Sequence, residues 1–312
     1  MKVGGSMFCK SFKSGVQKWT MVMLALITLS FSSPENVVSV FVEEHSGLDI
    51  ADPPITFGHV FKKGDVFGEV LGFDQGKELV TQCDIKNYYD DGSVRFAIIS
   101  FRLPFLKGSE QREIVLVPKS GNNQTGTSEM VTQYVKNGTD ASLSFRFYTD
   151  SLWSNQGSVM KSSIKELISR NADNVTVWLA GPVCVEMIVN DISANPHPSI
   201  NVQYHVRHYF SSGVTRISPV VENVWHDRRG NIFYDVDFTL GENPGQVVLQ
   251  RDTLRHWHDS RWRRVFWSNN EQPLVSVKYD AGYLINTGYF PPYDLSLGTS
   301  DDVIDDIYTN WM

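Results

Sequence analysis

Between positions 251 and 267 the chain concentrates Arg251, Arg255, His256, Trp257, His258, Asp259, Arg261, Trp262, Arg263, Arg264 and Trp267. Indole faces stack on sugar rings, and guanidinium forks pair two-pronged with carboxylates. These residue types suit an acidic glycan, with Arg255, Trp257, Arg261, Trp262, Arg263 and Trp267 as the expected contacts. The same set could support elimination chemistry. Arg261 or Arg263 would neutralise a uronate carboxylate and acidify its neighbouring C–H, and His256 or His258 would take the proton. A plainer reading is an ordered, semi-exposed Arg–Trp stack that only covers a sheet. His256 and His258 fall on one face of a strand, but no third ligand is obvious, so neither a metal nor a cofactor is expected.

Other chemistries lack their signatures. The chain has no Gly-x-Ser-x-Gly elbow, phosphate-binding glycine loop, dinucleotide fingerprint, His-Glu-x-x-His pair or calcium loop. Asp235, Asp237 and Glu222 alternate with apolar residues as a solvated strand face would, and His205, Arg207 and His208 read as packing and surface residues.

The elements that would carry the block are predominantly β. Short β-branched and aromatic runs separated by Gly, Pro, Asp and Ser turns occupy residues 40–118 and suggest a small barrel. Asp90-Asp91-Gly92-Ser93 is hairpin chemistry feeding the apolar run Val94–Phe101. Residues 119–140 are polar and read as a linker or surface loop. Longer alternating runs over 141–298 predict an antiparallel β-sandwich; in Ile232–Leu240, Phe233, Asp235 and Asp237 oppose Tyr234, Val236 and Phe238. One internal helix is expected over 158–171, from the stripe Met160, Ile164, Leu167 and Ile168, and a second, C-terminal helix over 299–312.

The 312 residues carry a net charge of -7, which excludes the basic footprint of a nucleic-acid binder. Residues 1–39 read as a secretory signal peptide: Lys10, Lys13 and Lys18 precede the apolar run Met21–Leu29, which is too short to span a bilayer. No transmembrane span is expected after cleavage. Secretion agrees with three glycosylation triplets, at Asn123, Asn137 and Asn174. Cys83 and Cys184 are read as buried free thiols rather than a bridge.

Four segments together resemble one family. They are Ile55-Thr-Phe-Gly-His-Val-Phe-Lys-Lys-Gly64, Tyr89-Asp-Asp-Gly-Ser-Val-Arg-Phe-Ala-Ile-Ile-Ser-Phe101, the run His256–Trp267 and the run Tyr283–Ser296. They are similar to blocks in rhamnogalacturonan exolyase-like proteins of bacteria and phages that carry an N-terminal RIFT-barrel module. The resemblance implies a RIFT-like β-barrel followed by a β-sandwich, in proteins that handle acidic polysaccharide. Enzymes of that family continue into a helical toroid that carries much of the active cleft, and these 312 residues stop before one. The leading expectation is a secreted, non-catalytic protein that binds or organises acidic glycans. The alternatives are a polysaccharide lyase acting on uronic-acid polymers, and a structural subunit of an extracellular fibre or virion that self-assembles through strand edges or the C-terminal helix.

Overall fold

The computed structural model describes residues 37–121, 127–149, 151–152, 156–191, 199–224, 230–242 and 245–289. The protein is mostly β, built from antiparallel sheets. The N-terminal strands are β1 (Val38–Glu44), β2 (Ile50–Ala51), β3 (Pro54–Val60), β4 (Glu69–Asp74), β5 (Lys77–Glu78), β6 (Thr81–Tyr88), β7 (Val94–Arg102), β8 (Phe105–Leu106) and β9 (Gln111–Lys119). Next come α1 (Thr127–Asn137), β10 (Ala141–Tyr148), β11 (Gln156–Ser163), α2 (Ile164–Arg170), β12 (Val175–Ala180), β13 (Cys184–Asp191), β14 (Asn201–Tyr209) and β15 (Thr215–Asn223). The chain continues through β16 (Ile232–Leu240), β17 (Gln246–His256), β18 (Ser260–Arg263), β19 (Phe266–Trp267), β20 (Val275–Tyr279) and α3 (Ala281–Asn286).

The N-terminal part is a five-stranded sheet, β20-β1-β9-β4-β5, with a three-stranded sheet β3-β7-β6 and the pair β2-β8. Val40, Ile99, Phe101 and Leu116 belong to one core that these sheets enclose. The expected hairpin forms at Asp90–Ser93: Gly92 takes φ 83°, and the Asp91 carboxylate accepts from the Ser93 amide at 3.0 Å. Gly58 is required by packing, because a Cβ there would sit 2.8 Å from the Phe96 ring. The sheet is completed from far along the chain. Val275–Tyr279 pairs with β1, and Tyr279 donates to the Gly58 carbonyl at 3.0 Å. Tyr283, on α3, donates to Asp65 at 2.9 Å.

The rest is a sandwich. Sheet β11-β10-β16-β17 faces sheet β12-β13-β14-β15-β18, with β19 also pairing β15. Strict alternation builds the interface: Leu143, Phe145, Tyr234, Val236 and Phe238 meet Val202, Tyr204, Ile217 and Val221 in one core. Cys83 and Cys184 are free thiols.

Several expectations change. Residues 127–137, read as linker, form α1, which buries Met130 and Tyr134. The helix expected over 158–171 is a strand followed by a shorter helix: Met160 lies opposite Phe145 in β11, and only Ile164–Arg170 is helical. Val38 and Ser39 belong to β1, so a boundary at residue 39 would cut a strand already paired with β9. The remainder of the signal segment, the helix expected over 299–312 and Asn123 lie outside the described residues. No helix among the described residues is long and apolar enough to cross a membrane.

Candidate functional site

The 251–267 block does not form one surface. Up to His256 it belongs to β17, which pairs β16 in the four-stranded sheet. From Ser260 it belongs to β18, which pairs β15 in the other sheet. The turn between them crosses the end of the sandwich, with Asp259 in the left-handed region at φ 57°. Arg255 and Trp257 therefore stay together at one place, the guanidinium 3.9 Å from the indole centroid, with Trp257 58% exposed. Arg261, Arg263 and Trp267 go elsewhere.

His256 and Trp262 face the core. Trp262 Nε1 donates to the Tyr234 hydroxyl at 2.7 Å. That hydroxyl lies 2.9 Å from His256 Nδ1, and His256 Nε2 lies 3.0 Å from the Ser260 carbonyl. The only consistent assignment gives His256 a proton on Nε2 and a lone pair on Nδ1, which accepts from Tyr234. Burial pushes the pKa of His256 down, against the Ser260 carbonyl, which favours the charged form. A neutral, fully satisfied imidazole in the core has no open position for a substrate proton, so His256 is a structural residue and not a candidate base. Tyr234→Phe should leave the Trp262 N–H and His256 Nδ1 without partners and lower stability by about 2 kcal/mol, read from the urea midpoint at unchanged slope. His258 is half-buried, with Nε2 3.3 Å from Asp259 and its backbone amide donating to Asn231 at 3.1 Å, and it pairs with no arginine among the described residues.

Asn174 is also excluded as a glycan acceptor in the folded protein. Its side chain is buried, and Nδ2, the atom a glycan would occupy, donates to the Leu167 carbonyl at 2.9 Å. Asn137 is exposed at the end of α1.

The arginines and tryptophan of the second half of the block meet Glu186, Arg216 and Ser218, which the sequence did not single out, together with His205, Arg207 and Glu222, read there as packing and surface residues. Directly opposed residues on antiparallel strands share a face. The register Glu186↔Arg207, Arg207↔Arg216 and Arg216↔Trp267 makes one row across β13, β14, β15 and β19, on the outer face of the six-stranded sheet. The adjacent row holds His205 and Ser218, and Arg263 donates from Nε to Ser218 Oγ at 2.7 Å. Arg261 lies 3.8 Å from Glu222 at the far end.

The charges on this face are unevenly matched. Arg207 donates to Glu186 from Nε at 2.8 Å and from NH2 at 2.6 Å. Burial opposes the charge of Arg207, but Tyr209 and Glu186 outweigh it and hold its pKa above the usual arginine value. Arg216 is half-buried and has no hydrogen-bond or ion-pair partner among the described residues. Burial, Arg207 and Arg263 all push its pKa down. His205 is pushed toward its neutral form by burial and by Arg263, Arg216 and Arg261. The Trp267 Nε1 beside this row is buried, with no hydrogen-bond partner among the described residues. Clustered guanidinium groups, of which Arg216 has no direct ion-pair partner among the described residues, beside a neutral imidazole are the complement of a carboxylate-bearing ligand. Among the described residues, no three metal-ligating side chains converge.

No protein-family model matches this chain, and no curated protein is similar to it at a significant level.

Proposed function

We propose that this protein binds acidic polysaccharide without turnover, through the outer face of its six-stranded sheet. Arg216 and Arg263 take the uronate carboxylate, Trp267 borders the site, and Arg261 extends it. The observation that carries the reading is Arg216. A half-buried guanidinium flanked by two others, with Glu186 acting on it only from a distance and no direct ion-pair partner among the described residues, costs folding free energy, and an anionic ligand supplies the contact that the fold does not. The resemblance to rhamnogalacturonan exolyase-like proteins and the signal-like N-terminus point the same way, toward a secreted glycan binder. Of the two bases the lyase alternative names, the enclosed His256 is disfavoured and His258 is left.

Affinity electrophoresis and calorimetry with polygalacturonate, alginate and hyaluronate test this. Wild-type protein should bind at least one of them, more weakly as salt rises. Arg216→Met should weaken that binding by about tenfold or more, the loss of one charge-assisted contact, with stability unchanged or raised. Absence of binding to all three polymers would overturn the reading. So would equal binding by wild type, Arg216→Met and Arg263→Gln.

A further inference from the structure

We infer that the cleft between β6 and the β12–β13 turn is a second saccharide site, selective for uncharged sugar residues and separate from the arginine face. The cleft has a volume of about 310 Å³, at the lower end of small-ligand sites. Its charged lining is balanced, with Glu69 and Asp84 against Lys86 and Lys119. Neither a polyanion nor a polycation gains from such a lining, in contrast to the arginine-rich face around Arg216.

Two exposed aromatic rings line the same cleft. Trp178 is 46% exposed and Tyr88 is 52% exposed. Trp178 is held by Lys86, whose ammonium lies over one face of the indole at 4.4 Å from its centroid and donates to the Trp178 carbonyl, and the ring still keeps nearly half of its surface exposed. A fixed indole face within a polar wall fits a ligand that is apolar on one face and hydroxylated around its rim. A neutral pyranose has that form.

The floor is preformed. Gln82 Oε1 accepts from the amides of Val183 at 3.1 Å and Cys184 at 2.9 Å. Its Nε2 donates to Asp84 Oδ2 at 2.7 Å, and Asp84 Oδ1 accepts from the Ala180 amide at 3.2 Å. Each Asp84 oxygen keeps a lone pair for a sugar hydroxyl. Gly181 permits this approach, since a Cβ there would lie 2.5 Å from the Gln82 side chain. A cleft fixed by these bonds loses little freedom on binding, and this favours a weakly interacting neutral ligand.

Titration of intrinsic fluorescence and saturation-transfer NMR with cellotetraose, galactotetraose and xylotetraose at millimolar concentration tests the site. At least one should bind saturably. Trp178→Ala should weaken it by about tenfold, as truncation of an aromatic anchor does, while Arg216→Met leaves it unchanged. Tyr88→Ala, a change at an exposed rim, should weaken the same sugar and gives the result if Trp178→Ala fails to fold. The inference is overturned if none of the three binds, if neither aromatic variant weakens the sugar, or if Arg216→Met abolishes its binding. The last outcome would place neutral and acidic sugars in one site.

Discussion

Glu186→Ala is expected to destabilise the protein by about 3 kcal/mol, the scale of breaking a largely buried ion pair from one side. The Glu186 and Arg207 side chains are 11% and 18% exposed, and their closest contact is 2.6 Å. Without Glu186, Arg207 would stand beside Arg216 in register, with Arg263 near enough to add to the repulsion. Replacing both partners, as Glu186→Met with Arg207→Met, should restore most of the loss, because apolar groups of similar length leave no stranded charge. Urea midpoints of the two single variants and the double variant measure this. Losses under about 1 kcal/mol in both single variants would show that water already screens the pair. The Glu186→Ala protein also carries an anion-seeking face with less internal compensation. Added polygalacturonate should therefore raise its stability more than it raises that of wild type, since a ligand that binds only the folded state stabilises by mass action.

The contrast between Glu186–Arg207 and Arg216 shows where sequence patterning stopped being informative. The faces of β14 and β16 were readable, because Asn201, Gln203, His205 and Arg207 alternate with Val202, Tyr204 and Val206, and Phe233, Asp235 and Asp237 alternate with Tyr234, Val236 and Phe238. Arg216 lies in β15, where Ile217–Val221 are all buried and the two-residue period is lost. Its face is set by pairing with Arg207 and Trp267, and pairing across strands is not written in local composition. The 251–267 block had the right residue types, but one turn at Trp257–Asp259 sends its halves to different sheets. Only Arg261, Arg263 and Trp267 of the expected contacts reach the arginine face. The stripe of Met160, Ile164 and Leu167 fits a helix, and it fits equally a strand residue followed by a short helix, which is what forms. β20 alternates like any edge strand, yet its partner β1 lies more than two hundred residues earlier, beyond any local signal.

Acidification from pH 7 to pH 5 is expected to weaken the fold steeply; His59 and His208 contribute most, and His205 and His256 are shifted in the same direction. His59 is 1% exposed among the rings of Phe61, Tyr279 and Tyr283, and neither ring nitrogen meets hydrogen-bond geometry with a partner among the described residues. Burial pushes its pKa down to about 4, against smaller opposing pulls from the Val60 backbone and Asp280. His208 is also 1% exposed, with Nδ1 2.9 Å from Thr215 Oγ1. Burial, then Lys165, pushes its pKa down to about 4. Both folded values lie below the unfolded value of 6.5, so the unfolded chain takes up these protons first. The neutral forms contribute their full stability above pH 6.5, and it drains away as the pH falls from 6.5 through 4. A complete shift of this size is worth about 3 kcal/mol per histidine. Glu44 works lower on the scale. Burial would raise its pKa, but hydrogen bonds from Ser46, Ser109 and Gly47 hold it down at about 2, so its contribution is lost only below its ordinary value of 4.5. Measurements between pH 7 and pH 5 therefore leave Glu44 out and read chiefly the imidazoles. His59→Phe keeps a ring in the aromatic nest, should stay within about 1 kcal/mol of wild type at pH 7, and should remove the His59 share of the acid-induced loss. A wild-type urea midpoint that stays level over this range would rule out the mechanism, and a His59→Phe profile running parallel to wild type would remove His59 from it.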